Sequence, residues 1–397
     1  MLQVQIEFHP HKGQQRVLES RARFRICAAG RRWGKTVFGI YLVMSQAIEN
    51  PGSLIWWVSP VYAQAMIPYR RILSTAREII ADHNKDEKRI ELINSSVIEF
   101  KSADKPDNLR GEGLDLLIID EAAYIDDEAW YACLRPTLSD RCGKAVMIST
   151  PAGKNWFYHV FMLGFTDPEY ASFRSPTEEN PIIPRSEIEE ARRNLPDYVF
   201  RQEYLAEFID SSSAVFPSYG QCISTSISPE PKPGMKYLAG WDIGKRQSYS
   251  VLTIMDRTGR VVKIQKITGD YSAQVEQVVQ LVKQYNNARL CVDATGLGDP
   301  IVDVLKRYSI NVYPLRLTSD SKASIINALS ISFSNQSITI PPDPELLREL
   351  DNFTVDYTRH GKLKLGARKG YHDDYVISLA LANWLLHSRK EIGVLWI

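Results

Sequence analysis

The chain has 397 residues, 44% hydrophobic and 24% charged, an ordinary globular composition with enough length for two or three domains. Its 48 Lys and Arg against 47 Asp and Glu leave a net charge of +1, which excludes a polycation and confines any nucleic-acid surface to a local basic patch. Five scattered cysteines without paired zinc-ligand spacing speak against a disulfide scaffold, no apolar run approaches the roughly 20 residues of a membrane helix, and MLQVQIEFHPHKGQQ lacks a signal-peptide core, so an intracellular protein without membrane contact is expected.

In chain order, Gln14 in GQQRVL comes first, either an adenine-edge contact or an exposed helix glutamine. Strand-like runs then alternate with helical stretches from Arg21 to about Phe208: RFRICAA, SLIWWVSP, SVIEF, LDLLIID and KAVMIST, the pattern of a doubly wound α/β domain. RFRICAAGRRWGKT reads as a strand, a glycine-bearing turn and a helix start. Gly30, Arg31, Arg32, Gly34, Lys35 and Thr36 would cradle phosphates there with backbone N–H groups, an ammonium and a Mg2+-ligating hydroxyl. The first glycine of the usual G-x-x-x-x-G-K-[ST] pattern is Ala29 here, so the competing account is a chance Gly-Lys-Thr at a helix start.

Arg110, just before the acidic strand and next to Gly111 and Gly113, could be carried by a mobile loop to a neighbouring subunit's γ-phosphate, or be an ordinary surface arginine. LDLLIIDEAAYI ends an apolar run in Asp120, expected to hold Mg2+, and Glu121, expected to activate water; the alternative is a helix-capping pair. Ser149, Thr150 and Pro151 follow the next strand, either a γ-phosphate sensor or a plain turn. These elements place an ATPase domain at 1–212, with a linker subdomain from about 170 to 212. The Ser- and Pro-rich stretch 213–234 reads as a linker without a core of its own.

From 235 to 397 the order is three strands (KYLAGWDI, YSVLTIMD, RVVKIQKIT), a helix near Ser272 to Asn286, the strand ARLCVD, and further alternating elements, which is how a ribonuclease-H-like nuclease begins. Asp242 and Asp293 end two of these strands, and Asp373 and Asp374 open the apolar helix of GYHDDYVISLALANWLLH. Carboxylates converging from two strand ends and one helix start can hold two divalent ions about 4 Å apart for phosphodiester cleavage. Each acid alone could instead cap or terminate its element. Periodicity does not say which of Asp373 and Asp374 faces inward, because the helix is apolar on nearly every face. Upstream of them a hairpin carries Arg359, Lys362, Lys364, Arg368 and Lys369, which with Lys322 would follow a DNA backbone, unless they are a solvated edge.

Taken together, GQQRVL, AAGRRWGKT, DNLRGEGLDLLIIDEAA, ISTPAGKNWF, AVFP, GWDIG, VDATGLGDPIVDVL and GYHDDYVISLALA resemble, in order and across essentially the whole chain, the large terminase subunits of tailed bacteriophages. The resemblance implies a P-loop ATPase domain of the additional-strand, RecA-like kind followed by an RNase H-like nuclease. It assigns Lys35 and Thr36 to phosphate and metal, Glu121 to water activation, Ser149 to Pro151 to coupling, and Arg110 to the trans-acting finger. Asp242, Asp293 and the Asp373/Asp374 pair fall on the family's nuclease acids. Many relatives carry another acid shortly after the first of these, where this chain has Gln247, Ser248 and Tyr249.

The activities so implied are ATP-driven translocation of double-stranded DNA into a procapsid and Mg2+-dependent cutting of concatemers, with Mn2+ able to replace Mg2+ at the nuclease. The implied partners are the portal protein, a small terminase subunit and further copies in a ring, expected as a pentamer, from a chain monomeric in solution. The implied place is the host cytoplasm. Two other readings compete. A helicase-nuclease of DNA repair would carry two ATPase-like lobes, and a DNA-bridging scaffold would not need the intact Lys35, Glu121 and aspartate set.

Overall fold

Continuous apolar strands suit a parallel sheet covered on both faces, because every side chain along such a strand enters a core. The computed structural model, which describes residues 7–210, 213–243, 249–295, 298–357 and 363–388, contains such a sheet. Its strands are β1 (Phe24–Ala29), β2 (Leu54–Ser59), β3 (Ile80–Asn84), β4 (Arg89–Leu92), β5 (Val97–Ser102), β6 (Leu116–Asp120), β7 (Lys144–Ser149) and β8 (Tyr170–Ser175), in the order β3-β4-β5-β2-β6-β7-β1-β8. The β3–β4 and β4–β5 pairs are antiparallel and the others parallel. Successive side chains alternate between two cores: Phe24, Ile26, Leu117, Ile119 and Met147 on one face, Cys27, Ala29, Ile118, Val146 and Ile148 on the other. The register sets Ala28 opposite Ser149 and Asp120 opposite Ile148. The carboxyl ends of β1, β6 and β7 therefore lie side by side, where open α/β sheets bind ligands.

A second compact unit is built on β9 (Tyr237–Asp242), β10 (Ser250–Asp256), β11 (Val261–Ile267), β12 (Arg289–Asp293) and β13 (Val312–Leu315), in the order β11-β10-β9-β12-β13. The first three strands pair antiparallel and β9–β12–β13 parallel, the RNase H-like arrangement. One face packs Trp241, Leu252 and Leu290 against Val275, Val278 and Val282 of the helix Tyr271–Gln284. The other lies under the helix Asp374–His387, where Thr253 Oγ1 and Ser378 Oγ are 2.7 Å apart. Gly240 permits that approach, since a Cβ there would stand 2.5 Å from Ala382 N and closer still to Ser378 O. β14 (Phe353–Tyr357) and β15 (Leu363–Ala367) pair as the expected hairpin.

Three features differ from the sequence reading. The stretch from about 170, read as the start of a linker subdomain, begins with β8, which pairs with β1 from Phe24–Tyr170 to Ala29–Ser175 and so completes the main sheet. The segment 213–234, read as a coreless linker, folds onto the second unit: Val215 and Phe216 are buried, the Phe216 ring lies 5.7 Å from Phe333 and 5.5 Å from Phe353, and Ile223 bridges Ile340. Its Ser and Pro content describes the turns, but the apolar residues of AVF decide where it lies. The strands β3 and β4, polar and at the sheet edge, were not expected at all. Among the described residues no helix is long and apolar enough to cross a membrane.

Candidate functional site

The loop after β1 ends at Gly34, whose φ of 100° is left-handed and suits a residue without a side chain. The helix Lys35–Glu49 begins there, and its first N–H groups, which no helical carbonyl can take, open onto a cavity of about 870 Å³ bounded by Arg31, Arg32, Lys35, Thr36, Glu121 and Thr150. The loop is braced from outside. Thr177 Oγ1 donates to Arg31 O and Asn180 Nδ2 to Arg32 O, both at 2.7 Å, and Arg31 Nε meets Glu203 Oε2 at 2.7 Å. Gln14 is buried against Gly34 and accepts the His11 N–H at 3.3 Å, so the exposed-glutamine alternative is excluded and the amide supports the loop.

Lys35 Nζ donates to Thr150 Oγ1 at 2.7 Å and to Ala29 O at 3.3 Å, and stands 3.6 Å from Glu121 Oε1. Asp120, at the buried end of β6, has its carboxyl pushed up to about 7 by burial and by the charge of Glu121, against the pull of Lys35. Glu121 adopts φ 51° and ψ 47°, a left-handed conformation that strains a residue with a side chain. Ser149 Oγ accepts the Ala123 N–H at 3.1 Å and donates to Thr150 O at 2.7 Å, and Thr150 N–H points at Glu121 Oε2 at 3.4 Å. The buried Asp120 carboxyl, within reach of the Lys35 charge, and the Thr36 hydroxyl on the cavity wall are donor types that suit Mg2+, so they could hold the ion and Glu121 a water. Arg110 is not among the residues bounding this cavity. It is exposed and pairs with Asp107 at 3.2 Å.

In the second unit, Trp241 pairs with Val292 across β9 and β12, so Asp242 and Asp293 end adjacent parallel strands. Burial first, then the charges of Asp374, Asp293 and Asp373, push the Asp242 carboxyl well above its ordinary range, while Lys322 pulls it down. Asp373 occupies the N-cap position of its helix and accepts from Lys322 Nζ at 2.7 Å. Asp374 Oδ2 is buried without a hydrogen bond, with His372 Nδ1 at 3.7 Å, and burial with the Asp373 charge raises its carboxyl too. Among the described residues no three acidic, His or Cys side chains already stand at metal-ligand spacing. The uncompensated charge nevertheless suits a divalent cation, which would draw the carboxylates together.

Lys364, Arg368 and Lys369 are exposed along and after β15, whereas Arg359 and Lys362 lie outside the described residues. Glu349 went unnoticed in the sequence. Its carboxylate accepts the N–H groups of Tyr375 at 2.8 Å and Val376 at 3.1 Å, and is pushed up to about 7, chiefly by burial. The available signal was an acid set into the apolar stripe of Leu346 and Leu350.

Fold and sites together define a P-loop ATPase and an RNase H-like nuclease carried on one chain. The family described as "Terminase large subunit, T4likevirus-type, N-terminal" matches residues 26–219. The large terminase subunit of Thermus virus P23-45 is 32% identical over 422 aligned residues, covering 94% of this chain and 87% of that protein, and the one from Escherichia phage T5 is 29% identical over 386, covering 89% and 84%. A solved structure of the large terminase from a thermophilic bacteriophage superposes with a TM-score of 0.55 over 96% of this chain and 100% of that one, a likeness of fold alone at 15% identity. The chain belongs to the terminase large subunits.

Proposed function

We propose that the chain hydrolyses ATP to drive viral double-stranded DNA into a procapsid and cuts concatemeric DNA at its second site. The observation that carries this reading is the pairing of Lys35 with Glu121 at 3.6 Å beside the buried Asp120, in the same chain as a second acid cluster around Asp242. At the first site the N–H groups of Arg32, Gly34, Lys35 and Thr36 and the Lys35 ammonium bind the β- and γ-phosphates, those of Gly30, Arg31 and Trp33 being taken by Ser175 O, Glu203 O and Gly30 O; Glu121 orients and deprotonates the attacking water, and Ser149 and Thr150 move when the γ-phosphate leaves. Thr36 and Asp120 would hold Mg2+, which when bound would supply positive charge to the phosphates. Arg110, exposed beside Gly111, serves a neighbour's nucleotide, which makes the working form a ring, a pentamer by family analogy.

At the second site Asp242, Asp293, Asp373 and Asp374 would hold divalent ions, Mg2+ or Mn2+, which when bound would supply water activation and stabilisation of the leaving oxygen. Lys322, Lys364, Arg368 and Lys369 line the approach of the DNA backbone. Docking on a portal, delivery of DNA by a small terminase subunit and action in the host cytoplasm belong to the same reading.

The test separates the two activities. Lys35→Ala or Glu121→Ala is expected to abolish ATP turnover and packaging into portal-bearing procapsids while leaving metal-dependent cutting of plasmid DNA, and Asp242→Ala to do the reverse. Undiminished cutting by Asp242→Ala would remove the nuclease assignment. Unwinding of a blunt duplex by the purified chain would favour a repair helicase.

A further inference from the structure

Glu349 is a carboxylate in a place built for an apolar side chain. It lies on the helix Pro344–Asn352 with Leu346 and Leu350, and only 2% of it is exposed. A carboxylate so buried is unfavourable unless hydrogen bonds hold it. Its Oε2 has two, from the N–H groups of Tyr375 and Val376 at 2.8 and 3.1 Å. Both belong to the first turn of the helix Asp374–His387, where N–H groups have no partner within the helix.

The residue normally placed to satisfy them is the N-cap, and here that is an aspartate, a side chain well suited to the task. Asp373 nevertheless makes no capping hydrogen bond with its side chain and accepts Lys322 Nζ instead. A carboxylate from another helix has taken over the capping. Glu349 Oε1, the other oxygen, is buried without a hydrogen-bond partner, as is Asp374 Oδ2. The charges of Asp374 and Asp373 both act on Glu349.

We propose that Glu349 is a positioning residue of the nuclease site: by capping in place of Asp373 it fixes the first turn of the helix, spares both aspartates from capping so that their charges act on Asp242, and adds negative charge that attracts the divalent cation. This rests on the nuclease reading above. Two contributions are separable, the acceptor oxygen that anchors the turn and the charge that strengthens the field. Glu349→Gln keeps an acceptor and loses the charge, whereas Glu349→Ala loses both.

The experiment measures cutting of plasmid DNA by the full chain across a range of Mn2+ concentrations, for wild type, Glu349→Gln, Glu349→Ala and Asp242→Asn, with circular dichroism melting and ATP turnover recorded for each. Glu349→Gln is expected to cut within about threefold of the wild-type rate at saturating Mn2+ but to need about tenfold more of it for half-maximal rate. Glu349→Ala, assayed well below its melting temperature, is expected to lose more than about tenfold at saturating Mn2+ with ATP turnover retained. Glu349→Gln as inert as Asp242→Asn at saturating Mn2+ would overturn the proposal, because the carboxylate would then be needed as a ligand. A folded Glu349→Ala with wild-type rate and Mn2+ dependence would also overturn it. If Glu349→Ala does not fold, an unchanged Mn2+ requirement in Glu349→Gln overturns it alone. Normal cutting by Asp242→Asn would instead refute the nuclease reading itself.

Discussion

Lys322 Nζ lies 2.7 Å from Asp373 Oδ2, although 51 positions separate the two residues in the chain. The ammonium neutralises one acid of the cluster and opposes the rise of the Asp242 carboxyl. On the proposed nuclease reading it would also compete with an incoming cation for the same charge. Lys322→Ala should lower the Mn2+ concentration for half-maximal plasmid cutting by about tenfold, one unit of binding strength on a logarithmic scale. A metal titration with DNA held saturating checks this, and an unchanged or higher requirement would count against it.

The buried acids make stability depend on pH in a definite direction. Asp120 and Glu349, each pushed up to about 7, and Asp242, pushed higher than its ordinary range, keep protons in the folded chain that the unfolded chain loses near pH 4. The folded state thus binds more protons, and the stability this contributes is present below pH 4 and lost as pH rises through about 7. Asp242→Asn removes one such group. In EDTA its melting temperature should gain on wild type by roughly 3–5 °C between pH 5 and pH 8, and Mg2+ should cancel the gain. A difference that does not change with pH would show that the Asp242 carboxyl does not titrate in this way.

Gly240 should tolerate no larger residue. A methyl group there would overlap backbone atoms of Ser378 and Ala382, which cannot swing aside as a side chain can. Gly240→Ala is expected to destabilise the second unit by about 3 kcal/mol and to reduce cutting, while ATP turnover, housed in a different unit, persists. Two-step melting followed by circular dichroism, with only the nuclease-linked step lowered, is the expected record.

Arg110 gives a test of action in trans. Arg110→Ala should still bind nucleotide, since Arg110 does not bound the cavity, but lose about a thousandfold in packaging-coupled turnover. Mixing it with Glu121→Gln chains in the assembled motor should restore turnover, because one partner keeps the arginine and the other the glutamate. Failure of every mixing ratio to do so would mean that Arg110 serves its own subunit or none.

The amino-acid sequence by itself determined the apolar runs and which charged residues stand at their ends. Five apolar runs, each followed by a turn, announced β1, β2, β5, β6 and β7, and Lys35, Glu121, Asp242 and Asp293 stood at the ends of such runs or just after them. Those signals are local: a strand's burial on both faces and a turn's glycine are written within a few residues. Tertiary structure decided the remainder. Whether Ser-rich text such as 213–234 is a linker or a strap depends on whether Phe216 finds Phe333 and Phe353, which no nearby residue encodes. The roles of Asp373 and Asp374 diverge because Lys322 reaches one and burial isolates the other, and the helix carrying them is apolar on nearly every side, so its periodicity has no direction to give. Glu349 meets that helix across 26 positions. Contacts of that reach are fixed when helices pack, by shape and by the need to satisfy the open end of a helix, and only the folded chain brings those conditions together.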